Sequence, residues 1–217
     1  MIEIKLNEVG KRFNRDWIFR EWSQVISPNS SYVILGGNGS GKSTALRVLM
    51  GYAPQSEGEI TYTVNGKATL QREIYRHFSF CSPYLELYEE LTLDEMARFH
   101  FSLKPLLPQM DLMKFAEYVH LETSRNKPVK YFSSGMKQRL RLGLALFSDT
   151  QGVFLDEPIS NLDSFGINWY KTTVDALRKD RLIIVASNKQ VDEYFFCDES
   201  INIEDYKKKR ITNFTTK

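Results

Sequence analysis

The chain has 217 residues, 42% of them hydrophobic and 26% charged, with 29 basic against 27 acidic side chains. That length allows one generous domain, or one with a lobe inserted, and a net charge of +2 gives no support for a nucleic-acid binder, which would show a basic excess or stripe. No apolar run approaches the roughly 18–20 residues of a membrane span. The alternating start MIEIKLNEVG argues against a signal peptide, and Cys81 and Cys197, far apart and outside any CxxC spacing, read as reduced thiols in the cytosol.

In chain order, Ile2–Val9 alternates like a half-buried strand, a further strand is expected around Trp17–Phe19, and Tyr32–Leu35 is a short apolar run. A glycine-rich stretch follows, then KSTALRVLM with helical character that stops at Gly51. GEITYTVNGKATL carries Asn65-Gly66 between two half-polar strands, a hairpin signal. From about residue 92 the pattern turns helical. Thr92 and Glu95 have capping-box spacing, Leu106–His120 reads as a second helix and Gly135–Phe147 as a third. GVFLDEP and RLIIVAS are then almost wholly apolar strands around a helix at about Ser164–Lys179, which makes a βαβ unit of a buried parallel sheet. The expected class is therefore a single α/β domain, its core built from residues 1–85 and 148–217 and interrupted by a helical lobe at about 86–147. The run YKKKR at 206–210 reads as a solvated tail, with attraction to a membrane surface as the alternative.

Two segments carry chemistry. Gly36-Gly37-Asn38-Gly39-Ser40-Gly41-Lys42-Ser43, followed by Thr44, fits G-x-x-x-x-G-K-[ST] between an apolar strand and a helix. Glycines let the backbone curl so that its N–H groups face phosphate oxygens, Lys42 supplies a point charge, and Ser43 offers a hydroxyl to Mg²⁺. The second segment is VFLDEP, where Asp156 and Glu157 end a buried strand. Ligands gather at the carboxyl ends of strands in open α/β sheets, so Asp156 is expected in the Mg²⁺ shell and Glu157 beside the attacking water. A third segment, FSSGMKQRL, is a second helix start of the kind that receives anions, with small polar residues and free N–H groups.

GGNGSGKST, FSSGMKQRL, VFLDEP and SNLD stand in the order and spacing of ABC-transporter ATPase subunits, and the chain resembles that family over nearly its whole length. The resemblance implies a RecA-like P-loop NTPase core with antiparallel β elements and an inserted helical subdomain. It also implies ATP and Mg²⁺ as cofactors, and two subunits, identical or different, packed head to tail so that Ser133, Ser134, Gly135 and Met136 of one cap the ATP of the other. Asp163 would bridge the two sites, and an integral membrane permease would be the partner, with the chain peripheral on the inner face of the cell membrane. Phe13 aligns with the family's adenine-stacking aromatic, with a core role as the competing reading and Trp17 as the alternative stacker.

The chain also departs from the family. The usual signature is Leu-Ser-Gly-Gly-Gln, and Met136 cannot donate as the final amide does. Asn188 stands where the family has its switch histidine; an asparagine amide can donate to a γ-phosphate oxygen but cannot carry a charge. The family's metal-sensing glutamine is replaced by Ser82-Pro83-Tyr84, and Tyr84, Leu85 and Leu87 are read either as an apolar docking surface or as core. The expected function is the ATP-hydrolysing motor of a transporter. The alternatives are a weakly hydrolysing ATP-gated module paired with a more active subunit, and a soluble ABC ATPase outside transport.

Overall fold

The computed structural model describes residues 1–207. The cationic run at 206–210 lies outside the described residues beyond Lys207. Two sheets organise the chain. One is antiparallel, built from β1 (Ile2–Phe13), β2 (Asp16–Ile26), β4 (Glu57–Val64) and β5 (Lys67–Thr69) in the order β2-β1-β4-β5. The expected strand at Trp17–Phe19 is thus one part of an 11-residue strand. The Asn65-Gly66 hairpin forms with both residues at positive φ, 50° and 77°, as the tight turn between twisted strands requires.

The second sheet has the order β6-β7-β8-β3-β9, from β3 (Ser31–Leu35), β6 (Phe78–Cys81), β7 (Gly152–Asp156), β8 (Leu182–Ser187) and β9 (Glu199–Asn202). All its pairings are parallel. Both faces of this sheet are covered, which explains why β7 and β8 are apolar at nearly every position. Ile183 and Val185 point into a core shared with the helices, and Leu182, Ile184 and Ala186 into a core shared with the antiparallel sheet. The second core holds α1 (Lys42–Leu49) through Ala45, Leu46, Val48 and Leu49.

Between β6 and β7 come α2 (Leu93–Leu103), α3 (Leu112–Tyr118) and α4 (Ser134–Leu146). The reciprocal Thr92–Glu95 capping box forms at the start of α2. The expected helix at Leu106–His120 is corrected to the much shorter α3. Pro105 and Pro108 interrupt the helical ladder, Leu106 pairs with Ser148 in an isolated bridge, and the Asp111 carboxylate caps the helix by accepting from the Lys114 N–H at 2.8 Å. After β7, α5 (Ser164–Leu177) crosses to β8 as the βαβ reading expects, and α6 (Val191–Tyr194) follows β8.

Parallel pairing has a direct consequence for function. The carboxyl ends of β3, β6, β7 and β8 lie on one rim, so Gly36, Ser82, Asp156–Glu157 and Asn188 leave the sheet on the same side despite their distance in sequence.

Candidate functional site

The glycine-rich loop leaves β3 and enters α1 at Lys42 through Gly41, whose φ is 106°. A Cβ at Gly41 would fall 2.3 Å from Ile18 Cγ2, so both conformation and space demand glycine there. No side chain caps this helix, and its first N–H groups stay available. The buried Lys42 ammonium donates to the carbonyls of Gly36 and Gly37 at 3.0 and 3.1 Å. The Ser40 hydroxyl is buried in the same loop without a hydrogen-bond partner, the mark of a polar site shaped for a ligand. The carboxylate of Glu204 accepts from the Gly37 N–H at 3.3 Å and ties the end of β9 to the loop, a contact no local pattern announces.

Asp156 closes the site from below. The Ser43 hydroxyl donates to its Oδ1 at 3.0 Å and the buried Ser82 hydroxyl to its Oδ2 at 3.4 Å. Burial raises the Asp156 carboxyl above the usual range; the Ser43 hydrogen bond opposes this, adjacent Glu157 reinforces it, and Lys42 and Arg47 hold it down. A hydroxyl and a carboxylate converging beside a buried lysine form a hard-oxygen donor set, which suits Mg²⁺ because that ion keeps most of its waters and takes few protein ligands. Glu157 lines the cavity above the loop with Ile18, Tyr84 and residues 38–44. It is held at φ 44°, a conformation unfavourable for a side chain of its kind, by an N–H bond to the Ala186 carbonyl at 3.0 Å.

The remaining candidates are arranged differently. Ser133, Ser134, Gly135 and Met136 lie outside the residues that line this cavity. The Ser133 hydroxyl accepts from the Met136 N–H at 3.2 Å and caps α4, leaving Ser133 and Ser134 exposed. A Cβ at Gly135 would come within 3.3 Å of the Asn161 carbonyl, so the signature turn packs on the SNLD loop. Asp163 caps α5 by accepting from the Gly166 N–H at 2.8 Å. Asn188 is half-buried just past β8 and does not line the cavity. Phe13 is 51% exposed with the Lys11 ammonium 5.0 Å from its ring centre, which excludes the core reading; it too lies outside the cavity lining, where Ile18 stands. Trp17 stacks against the guanidinium groups of Arg12 and Arg20. Leu87 is buried and therefore no part of a docking surface, whereas Tyr84 and Leu85 are exposed.

Sequence reasoning missed Gln138. It is fully buried on α4, and its Nε2 donates to the Pro158 carbonyl at 2.8 Å, joining the signature helix to the turn after Glu157. Between Lys137 and Arg139 in a polar stretch, its burial had no local signal. An apolar groove of about 640 Å³ beside the site, bordered by Tyr52, Tyr75, Tyr84, Leu85 and the cations Arg47, Arg72 and Lys104, was no more legible. Tyr84 lines both this groove and the cavity above the glycine-rich loop.

Comparison with known proteins agrees with this geometry. Residues 19–160 match the family model described as ABC transporter. An uncharacterized ABC transporter ATP-binding protein of Bacillus subtilis, YcbN, is 28% identical over 82% of this chain, which spans 58% of that relative's length. The lantibiotic transport ATP-binding protein SrtF of Streptococcus pyogenes is 25% identical, over 88% of this chain and 81% of its own length. A dimeric structure of the ATP-binding cassette MJ0796, in a post-hydrolysis state with ADP and Pi, superposes with a TM-score of 0.79, at 20% identity, over 94% of this chain and 95% of its own. The fold of the loop, the acidic strand and the sheet rim they share is that of an ABC ATPase domain, and the chain belongs to the ABC transporter family.

Proposed function

We propose that this chain is the ATP-binding and ATP-hydrolysing subunit of a membrane transporter, and that it dimerises head to tail on Mg-ATP. One observation carries the reading. The phosphate cavity contains Lys42, Ser43 and Glu157 but none of Ser133–Met136, while those residues open an exposed helix start elsewhere on the chain. An anion-ready helix start with no anion site of its own on this chain suits a phosphate held by a second subunit. Backbone amides from Asn38 to Thr44 and the Lys42 ammonium would then hold the phosphates, and Ser43 with Asp156 would hold Mg²⁺. The metal supplies neutralisation of the charge that develops on the phosphoryl oxygens. Glu157 orients or deprotonates water, Asn188 donates its amide toward the γ-phosphate, and Asp163 links the two sites. Phe13, exposed at the end of β1, is the aromatic that would stack on the adenine.

The groove bordered by Tyr52, Tyr75, Tyr84 and Leu85 supports a permease as partner, because exposed aromatic clusters rimmed by cations suit a docked segment of another chain. Among the described residues no helix is long and apolar enough to cross a membrane, so this reading places the chain against the inner face of the membrane through that partner. The name of SrtF as a lantibiotic transport protein is in keeping with the assignment. A specific observation favours the second reading, a weakly hydrolysing module. Asn188 has no titratable group, and Ser82 reaches Asp156 directly where a longer side chain would meet the metal.

The test uses Glu157→Gln. With Mg-ATP this variant is expected to run as a dimer on size exclusion with light scattering, and to recover an integral membrane protein from detergent-solubilised membranes. A variant that stays monomeric and hydrolyses ATP at the parental rate refutes the role given to Glu157. A steady-state ATPase assay on the parent separates the two readings, since robust turnover removes the second.

A further inference from the structure

We propose that Gln138 is a positioning residue for Glu157. Its buried amide makes the start of α4 and the turn after β7 move as one body, so that seating the signature turn on a partner's phosphate sets this chain's own Glu157. The proposal rests on the head-to-tail ATPase reading. Gln138 is 0% exposed, in a helix whose other buried side chains are the apolar Leu140, Leu142, Leu144, Ala145 and Leu146. Burying an amide is costly unless hydrogen bonds replace those it made to water, and a methionine would fill similar space without that cost. Here the Nε2 donates at 2.8 Å to the carbonyl of Pro158, the residue after Glu157. It also lies 4.0 Å from the sulfur of Cys81, which precedes Ser82, the residue whose hydroxyl reaches Asp156. Among the described residues the Gln138 Oε1 has no hydrogen-bond partner, so the close polar contact of this amide is the one that joins α4 to the turn.

The turn meets α4 at a second point. Gly135 stands three residues before Gln138, on the same face of the helix. A Cβ there would fall 3.3 Å from the Asn161 carbonyl, so residues 157–162 run beside the start of α4. Glu157 at φ 44° and Asn161 at φ 64° both sit in the left-handed region, which persists only where the surroundings hold it. The turn is closed internally: the Ser160 N–H donates to the Glu157 carbonyl at 3.1 Å and the Leu162 N–H to the Ile159 carbonyl at 3.0 Å. On the side of the sheet, the Glu157 N–H is held by the Ala186 carbonyl of β8 at 3.0 Å. On the side of the helix, the hold is Gln138. A shift of the first turn of α4 therefore reaches Glu157 through one buried hydrogen bond and one backbone contact. The P-loop takes no part in either, so ATP affinity and dimer closure should separate from turnover.

The experiment compares the full-length parent with Gln138→Met, Gln138→Asn, Leu142→Val and Lys42→Ala. Gln138→Met fills the space without a donor, and Gln138→Asn keeps an amide one carbon too short for Pro158. Leu142→Val thins the packing of α4 and leaves the link intact. The measurements are Mg-ATP affinity by calorimetry, ATP-dependent dimerisation by light scattering, steady-state kcat and KM, and amide exchange over residues 157–162. Both Gln138 variants are expected to raise that exchange and to lower kcat at least about tenfold, with KM, ATP affinity and dimerisation within about twofold of the parent. Leu142→Val should lower the melting temperature and keep kcat within about twofold. Parental exchange or parental kcat in the Gln138 variants overturns the proposal. So does loss of dimerisation together with turnover, or an equal fall of kcat in Leu142→Val. Where Gln138→Met loses its fold, Gln138→Asn decides on the same terms, and should the parent show no turnover, the exchange result decides. Parental ATP binding by Lys42→Ala instead overturns the underlying site reading and leaves the exchange result to judge Gln138.

Discussion

The helix starts at Lys42 and at Ser134 look alike in composition and differ in what they do with their first amides. At α1 the residue before the helix is Gly41 in a left-handed conformation with no side-chain cap. At α4 it is Ser133, whose hydroxyl already accepts from the Met136 N–H. The first start thus keeps its leading amides uncapped, whereas the second is a stable helix end with small polar residues at its tip. The packing follows the same division. α1 is buried in the core between the two sheets, and α4 leaves only Ser134 of its first turn exposed while its body is anchored at Pro158 through Gln138.

This contrast can be broken in graded ways. Lys42→Ala should weaken Mg-ATP binding about 100-fold or more in calorimetry, because a buried point charge facing the phosphates is lost. Ser134→Glu should leave ATP binding by the free chain unchanged and keep the helix intact, since a carboxylate is favourable at a helix N-terminus. It should nonetheless cut turnover and ATP-dependent dimerisation at least about tenfold through repulsion of a partner's phosphate. Equal loss of binding in both variants would show that the two starts serve one site within the chain.

The far end of α4 offers a pH test. His100 bonds to the Ser148 hydroxyl at 3.0 Å, and burial, aided by Lys104, lowers its pKa to about 4. The folded state therefore binds fewer protons than the unfolded one between about 4 and 6.5, and the stability owed to neutral His100 is present above 6.5 and is lost as the pH falls toward 4. His100→Gln should show a smaller drop in melting temperature across that window, and an identical drop would remove the group from the account. The smallest effect belongs to Ser133→Ala. Loss of the cap should cost about 1 kcal/mol, or roughly 2–4 °C in melting temperature. No corresponding cap exists to delete at α1.

Much of this was legible from residue order. Gly41-Lys42-Ser43 follows an apolar strand, and VFLD ends another, because a ligand site at strand ends forces small and acidic residues to follow apolar runs. The helix at Leu106–His120 was not legible, since apolar residues at helical spacing continue through Pro105 and Pro108 while the backbone does not. Leu87, Tyr84 and Leu85 share one composition and divide between core and surface. Glu193 is 1% exposed, and its burial had no local signal, because a carboxylate in a short polar segment ordinarily faces water.

By itself the sequence determined the glycine-rich loop leading into α1, the acidic strand end and the parallel βαβ unit, since each depends on neighbours within a few residues or on simple periodicity. Only the tertiary structure decided that Ser82, Asp156 and the signature-helix Gln138 converge on one rim, and that Ser133–Met136 stay outside the cavity lined by Lys42, Ser43 and Glu157. Those relations depend on which strands pair and on which face of a helix meets the sheet. Burial and contact between segments far apart in the chain settle both, and no local residue pattern encodes them.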